Sequence, residues 1–223
     1  MKKINIIISN DIRNVAPEFK VIKIQAQVRN AATAESLMSS LNDCAAQMKE
    51  KYSLPDINKR IGIAATRQAY KSLGKDPNRY RPSQEQLMRR IINGKELYFI
   101  SNVVDVFNYV SILSGYSVGA FDVDKISGDT LTLGVGLHDE PYEGIGRGTL
   151  NIEGMPVYRD LIGGVGTPTS DNERTKIEIS TTSLIVCINV YGEEMPITEV
   201  IELSSSLLKQ YCDAENIEIE VIM

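Results

Sequence analysis

Chemistry in this chain would have to come from a few polar residues set in apolar surroundings. Asp105 and Asn108 interrupt a run in which Val103, Val106, Phe107, Val110 and Leu113 recur at helical spacing. Being three apart, they fall on neighbouring ridges of one helix side. Asp122 closes the short segment Gly119-Ala120-Phe121-Asp122. Further on, Gly163-Gly164-Val165-Gly166 lies in a glycine-rich loop from Ile162 to Asp171. Glycines allow close backbone approach, so N–H groups there could hold a carboxylate or phosphate; a plain turn between strands is the other reading. Polar residues inside apolar segments need partners. Asn108, Asp122 and Gly164 to Gly166 are therefore expected to converge on one cleft, unless Asp122 merely caps the next turn.

Other chemistries have little support. His138, the only histidine, stands beside Asp139 and Glu140, with no second nitrogen or thiolate ligand near it in sequence, and no metal is expected. Gly144-x-Gly146-x-Gly148 lacks the spacing of a dinucleotide fingerprint and no phosphate-binding loop is present, so no cofactor is expected. The three cysteines, Cys44, Cys187 and Cys212, are far apart and odd in number. A disulfide framework does not fit them, and the reducing cytoplasm is the expected compartment. Cys187, in an apolar strand, should be a protonated, inert thiol.

Charge is unevenly spread. Residues 49–95 hold 12 basic and four acidic residues, a net of +8, whereas residues 96–223 carry a net of −15. Arg60 and Arg67, seven apart, would project from one helix face, and Asp76-Pro77-Asn78-Arg79-Tyr80-Arg81 places two guanidiniums around a ring. Arg60, Arg67, Arg79, Tyr80 and Arg81 are thus candidate RNA-binding residues, arginines on phosphates and the ring on a base. Alternatively they are solvated helix faces with Tyr80 as a loop plug.

The elements that must position these groups read in order as follows. Ile4–Ser9 and Val21–Val28 are strands, with a turn over Asn10–Ala16 between them. A helix capped by Thr33 runs to Lys51, a second spans Asp56 to Leu73, and a third, Gln84–Asn93, opens with a Ser83/Gln86 capping box. The Asn108 helix, a strand over Thr130–Leu133 after a hairpin-type turn at Gly128-Asp129, and strands at Met155–Leu161 and Thr181–Tyr191 follow. Helix Ile197–Asp213 and strand Ile217–Ile222 close the chain. No apolar run approaches the roughly 18 residues of a membrane span, and the apolar part of MKKINIIISND is too short for a secretory signal. The 223 residues, 43% hydrophobic, suit a single α+β unit over 1–223 with mixed or antiparallel sheets.

Asp105-Val106-Phe107-Asn108-Tyr109, Gly115, Ala120-Phe121-Asp122-Val123-Asp124-Lys125-Ile126, Asp160 and Gly163–Gly166 together resemble the editing module of the bacterial phenylalanyl-tRNA synthetase beta subunit. Arg67-Gln68-Ala69-Tyr70 and Gly74 to Ser83 resemble its free-standing members. The likeness covers about residues 60–190. It implies hydrolysis of tyrosine wrongly esterified to tRNA, with tRNA or aminoacyl-tRNA as partner, in a pocket that positions water through backbone and small polar groups. The pocket asparagine is matched by Asn108 and the glycine loop by Gly164, Val165 and Gly166. The family threonine is replaced by Phe107 and the family histidine by Gly119. The glutamate that reads the tyrosine hydroxyl has no counterpart in Leu184–Ile188. Three readings follow from the resemblance: a deacylase of altered specificity, a non-catalytic module for RNA or an amino-acid-like ligand, or an interaction protein with a relic pocket.

Overall fold

The computed structural model describes residues 1–223. Its organising layer is an antiparallel sheet in the order β10 (Glu215–Ile222), β2 (Lys20–Gln27), β9 (Ser183–Val190), β3 (Ser117–Asp122). Both faces of strands β2 and β9 are buried; β9 reads as a nearly continuous apolar run, whereas β2 carries Lys23 and Gln25, which bond to the Ile4 backbone. Ile22, Ile24, Leu184, Val186 and Ile188 point into one core with Val103, Val106 and Val110. Val21, Ile185 and Cys187 point into a second core, shared with Ile6, Leu131, Tyr158 and Val165.

The first face is covered by helices α2 (Glu35–Lys51), α5 (Ser83–Ile92), α6 (Asn102–Ser114) and α7 (Ile197–Cys212). Short α3 (Leu54–Ile57) and α4 (Ile61–Ser72) connect α2 to α5. The second face packs on a mixed sheet, β1 (Asn5–Ile8), β4 (Thr130–Val135), β7 (Pro156–Arg159), β8 (Gly164–Gly166), in which only β1–β4 is parallel. Helix α1 (Asn10–Val15) and the two-residue strands β5 (Glu143–Gly144) and β6 (Gly148–Thr149) complete the chain. The architecture is α+β with mixed and antiparallel sheets. No helix is long and apolar enough to cross a membrane.

Several local expectations are corrected. Gly128 does turn the chain, at φ +80°, but it joins β3 and β4 of different sheets and makes no hairpin. Apolar flanks mark strands without saying which sheet each joins. Asn10–Val15 is a helical turn capped by Ser9, not a loop. Ala34, not Thr33, occupies the N-cap of α2, because the Thr33 hydroxyl donates to Asp105 at 2.6 Å. Pro82 is the N-cap of α5, and the Gln86 amide donates to Arg81 O and Thr169 O instead of closing a capping box. The helix expected over Asp56–Leu73 breaks at Asn58–Arg60, where Arg60 turns extended (ψ 130°) to reach the end of α6.

Candidate functional site

Helix α6 is fixed at both ends. Ser101 caps its N-terminus by accepting from Val104 N, and Gly115 ends it in the left-handed region at φ 75°. Arg60 Nη1 and Nη2 donate to the terminal carbonyls of Ile112 and Leu113 at 2.7 and 2.9 Å, while its Nε pairs with Glu194 at 2.6 Å. Between these anchors, Val104, Phe107, Asn108 and Ser111 recur at three- and four-residue spacing and face a cavity of about 400 Å³. Val118 and Ala120 of β3 and Ser83 and Leu87 of α5 form the facing walls. Ile100, Ile145, Asp171, Lys176 and Ile177 complete the lining. A mostly apolar lining with a few convergent polar groups is what small-molecule sites have.

Asn108 is the oriented polar group of the helix wall. Its Nδ2 donates to Asp105 Oδ1 at 3.2 Å, which directs the amide oxygen away from that carboxylate. Asp105 is fully buried and also accepts from Thr33 Oγ1 at 2.6 Å and Ile100 N at 2.9 Å. Burial pushes its carboxyl upward, against the opposing pull of Thr33, Ile100 and Asn108. Ser111 spends its hydroxyl proton on Tyr116 O at 2.7 Å.

Asp171 supplies the only carboxylate on the cavity wall. The outer edge of β3 has no partner strand, and there Ala120 N donates to Asp171 Oδ2 at 3.2 Å. The residue is held by the turn that follows β8. Thr167 Oγ1 accepts from Thr169 N and Ser170 N, Asn172 N reaches Val165 O at 2.9 Å, and Ile145 N reaches Asp171 O at 3.0 Å. Glycines make the approach possible. A Cβ at Gly119 would stand 2.8 Å from the Phe121 ring and 3.3 Å from Asp171 Oδ1, and one at Gly166 would stand 3.0 Å from that oxygen. The cavity leaves part of the Asp171 surface uncovered, yet the protein around it withdraws the carboxylate from bulk water. Burial, opposed by the Ala120 N–H, pushes its pKa up to about 7.

Of the residues expected at the site, Asn108 and Phe107 stand on the cavity wall. The expected convergence with Asp122 and Gly164 to Gly166 does not form. Asp122 caps the short turn Val123–Lys125, accepting from Asp124 N at 3.0 Å and Thr181 Oγ1 at 2.8 Å. Gly164, Val165 and Gly166 are buried strand residues, with Val165 in the second core and Gly164 against Tyr142. Gly119 and Gly166 flank Asp171 from behind and do not line the cavity. Asp160 ties the β7–β8 turn, accepting from Ile162 N and Gly163 N and pairing with Arg174 at 2.8 Å. Neither Cys187 nor His138 reaches the cavity. Cys187 is sealed in the second core, where burial drives its thiol upward, and His138 is an exposed side chain beside Asp139 and Glu153.

The basic stretch is not one continuous face. The Arg60 side chain is 2% exposed and committed to α6 and Glu194. Arg67 donates to Glu85, Asn78 and Pro77 O. The fully buried Glu85 carboxylate also takes Arg89 at 2.7 Å and Arg81 at 3.8 Å. Both Arg60 and Arg67 are therefore withdrawn from any RNA surface, because a buried guanidinium needs its carboxylate inside the protein. Arg79 and Arg81 remain exposed, and Tyr80 is half-buried with Lys75 Nζ 3.9 Å from its ring centre. Arg81, Arg89, Arg90 and Lys95 line a shallow depression of about 210 Å³ along α5 that contains no acid.

The sequence pattern of the B3/4 domain matches residues 65–200. Among solved structures, the chain is similar to an N-terminal fragment of the phenylalanyl-tRNA synthetase beta-subunit from Pyrococcus horikoshii. The two share 14% identity at a TM-score of 0.47, over 97% of this chain and 51% of that one. This chain thus spans about half the length of that fragment. No curated protein matches.

Proposed function

Because the chain belongs to the B3/4 domain family, we propose that its cavity receives the aminoacyl group of a charged tRNA and that the domain is an editing-like deacylase for an apolar aminoacyl ester. The observation that carries this reading is the Asn108 amide, held by Asp105, on the wall of an apolar cavity of about 400 Å³. In that setting the amide oxygen accepts from a water and aims it at the ester carbonyl. The water oxygen bonds to the carbonyl carbon, the ester C–O bond breaks, and the ribose hydroxyl leaves with a proton. Rate enhancement from placement and a fixed dipole needs no side-chain nucleophile. The exposed cations Arg81 and Lys95, which flank α5, the helix that also gives Ser83 and Leu87 to the cavity, offer phosphates a place beside it.

Specificity follows from the walls. Phe107 fills space and the facing side chains of β3 are small and apolar. An apolar pocket separates similar side chains only about 10–200-fold, whereas one built to bond a hydroxyl does so by about 10⁴–10⁵. Release of labelled amino acid from a panel of charged tRNAs tests the reading. Apolar aminoacyl groups should be released, tyrosine should have no advantage, and Asn108→Ala should slow the reaction. Tyrosine-selective release that survives in the variant would overturn it. A second reading, a non-catalytic ligand-binding module, is favoured by the lack of any nucleophile–base pair among the lining residues. Silence across the panel would select it.

A further inference from the structure

We propose that Asp171 is the subsite for a primary ammonium group, so that the cavity selects ligands combining a cationic amine with an apolar body. This rests on the reading of the cavity as a ligand site but not on any hydrolysis. Three independent features meet at the residue. The rest of the lining carries no uncompensated charge: Leu87, Val104, Phe107, Val118, Ala120 and Ile177 supply hydrocarbon, Ser83, Asn108 and Ser111 are neutral, and Lys176 is paired with Glu173 at 2.7 Å. Asp171 is therefore the unbalanced charge of the wall. Its Oδ2 is fixed by the backbone edge of β3 at Ala120, while Oδ1 accepts no hydrogen bond from the protein. Finally, two glycines, Gly119 and Gly166, keep clear the space that the carboxylate occupies.

A carboxylate with one bound donor in a desolvated wall is stabilised by a second, cationic donor. Charge-assisted N–H···O bonds are about twice as strong as neutral ones, and more so where water is excluded. A neutral hydroxyl in the same place gives one ordinary hydrogen bond and leaves the charge uncompensated. The discrimination is therefore between ammonium and its neutral isostere, not between hydrocarbon shapes. The ionisable groups packed around Asp171 do not compete for this role. Burial pushes Tyr142, Tyr158 and Cys187 upward, so they stay neutral near pH 7, and Glu173 and Lys176 face each other across their own ion pair.

The test is calorimetric titration of the whole chain with 3-methylbutylamine and with 3-methylbutan-1-ol, which share one hydrocarbon body. The amine should bind about tenfold or more tightly than the alcohol. Its affinity should rise with pH and level off above about 7, as Asp171 ionises while the amine stays charged. Asp171→Asn should bring the two probes to equal affinity. Should that variant fail to fold, the pH dependence of amine binding to the natural chain decides alone. Equal binding of amine and alcohol, a pH-independent preference, or no amine binding would each overturn the proposal. Release of amino acid from charged tRNA in those same cases would show that the deacylase reading survives without it.

Discussion

Asn108 Nδ2 lies 3.2 Å from Asp105 Oδ1, one turn earlier on the same helix, and this single contact decides which end of the amide faces the cavity. Asp105 also serves Thr33 and Ile100, so one buried carboxylate joins the start of α2, the entry to α6 and the cavity wall. Asp105→Ala leaves three donors without their acceptor, the buried Thr33 hydroxyl, the Ile100 N–H and the Asn108 amide. The expected loss is roughly 2–4 kcal/mol in urea denaturation, since each unsatisfied buried group costs about 1–3 kcal/mol. An unchanged midpoint would mean that water replaces the carboxylate.

Arg60 should behave as a structural residue. Arg60→Ala strands Glu194 and uncaps two carbonyls of α6, and breaking a buried pair from one side costs about 3–5 kcal/mol. Exposed Arg79→Ala should stay within about 0.5 kcal/mol of the natural chain. Comparable denaturation midpoints for the two variants would contradict the assignment.

Two glycines separate packing from backbone conformation. Gly166→Ala drives a methyl group toward the Phe121 ring and Asp171, so it should cost roughly 1–3 kcal/mol and loosen the carboxylate. Gly146→Ala meets nothing within 4 Å and carries only the penalty of its φ of +64°, about 1 kcal/mol. Thermal unfolding of the pair should rank them in that order.

If RNA binds, the α5 depression should carry it. Arg81→Ala with Lys95→Ala removes two exposed cations without touching an internal ion pair shorter than the 3.8 Å Arg81–Glu85 contact. Gel shifts across a salt series should then show a log–log slope shallower by about 1.4 for single-stranded contacts. Identical slopes for the natural and doubly substituted chains would take this groove out of consideration.

The parts of this molecule that were legible in sequence are those governed by local periodicity. The α6 stripe, the apolar run of β9 and the α+β order all follow from which side chains must be buried. Asn108 was visible as a polar break in such a stripe. Asp171 was not, because its role depends on β8, a tertiary turn and the free edge of β3, none of which has a local signature; it read only as the end of a glycine-rich loop. The glycines of that loop drew attention as possible anion-holding N–H groups, whereas their use is to let a carboxylate pass close behind a strand. Charge was misleading for a related reason. Arg60 and Arg67 look like surface cations until Glu194 and Glu85 are known to be folded against them.

The pH dependence of stability isolates Asp171 without any ligand. An aspartate with a folded-state pKa near 7 holds its proton more tightly in the native than in the unfolded chain, where its ordinary value is 3.8. Between those two values the native state binds more protons, so unfolding free energy falls as pH rises and levels off above about 7. The residue therefore costs stability at pH 8 and nothing near pH 3. Asp171→Asn keeps an oxygen for the Ala120 N–H but removes the buried charge. The variant should accordingly gain stability over the natural chain at pH 8, and the gain should shrink steadily as the medium is made acidic. Asp105, whose carboxyl is also pushed upward, is present in both proteins and drops out of the difference. Paired urea titrations at pH 5 and pH 8 measure it. A stability difference that does not change with pH would show that the Asp171 carboxylate stays ionised throughout, well solvated through the cavity mouth.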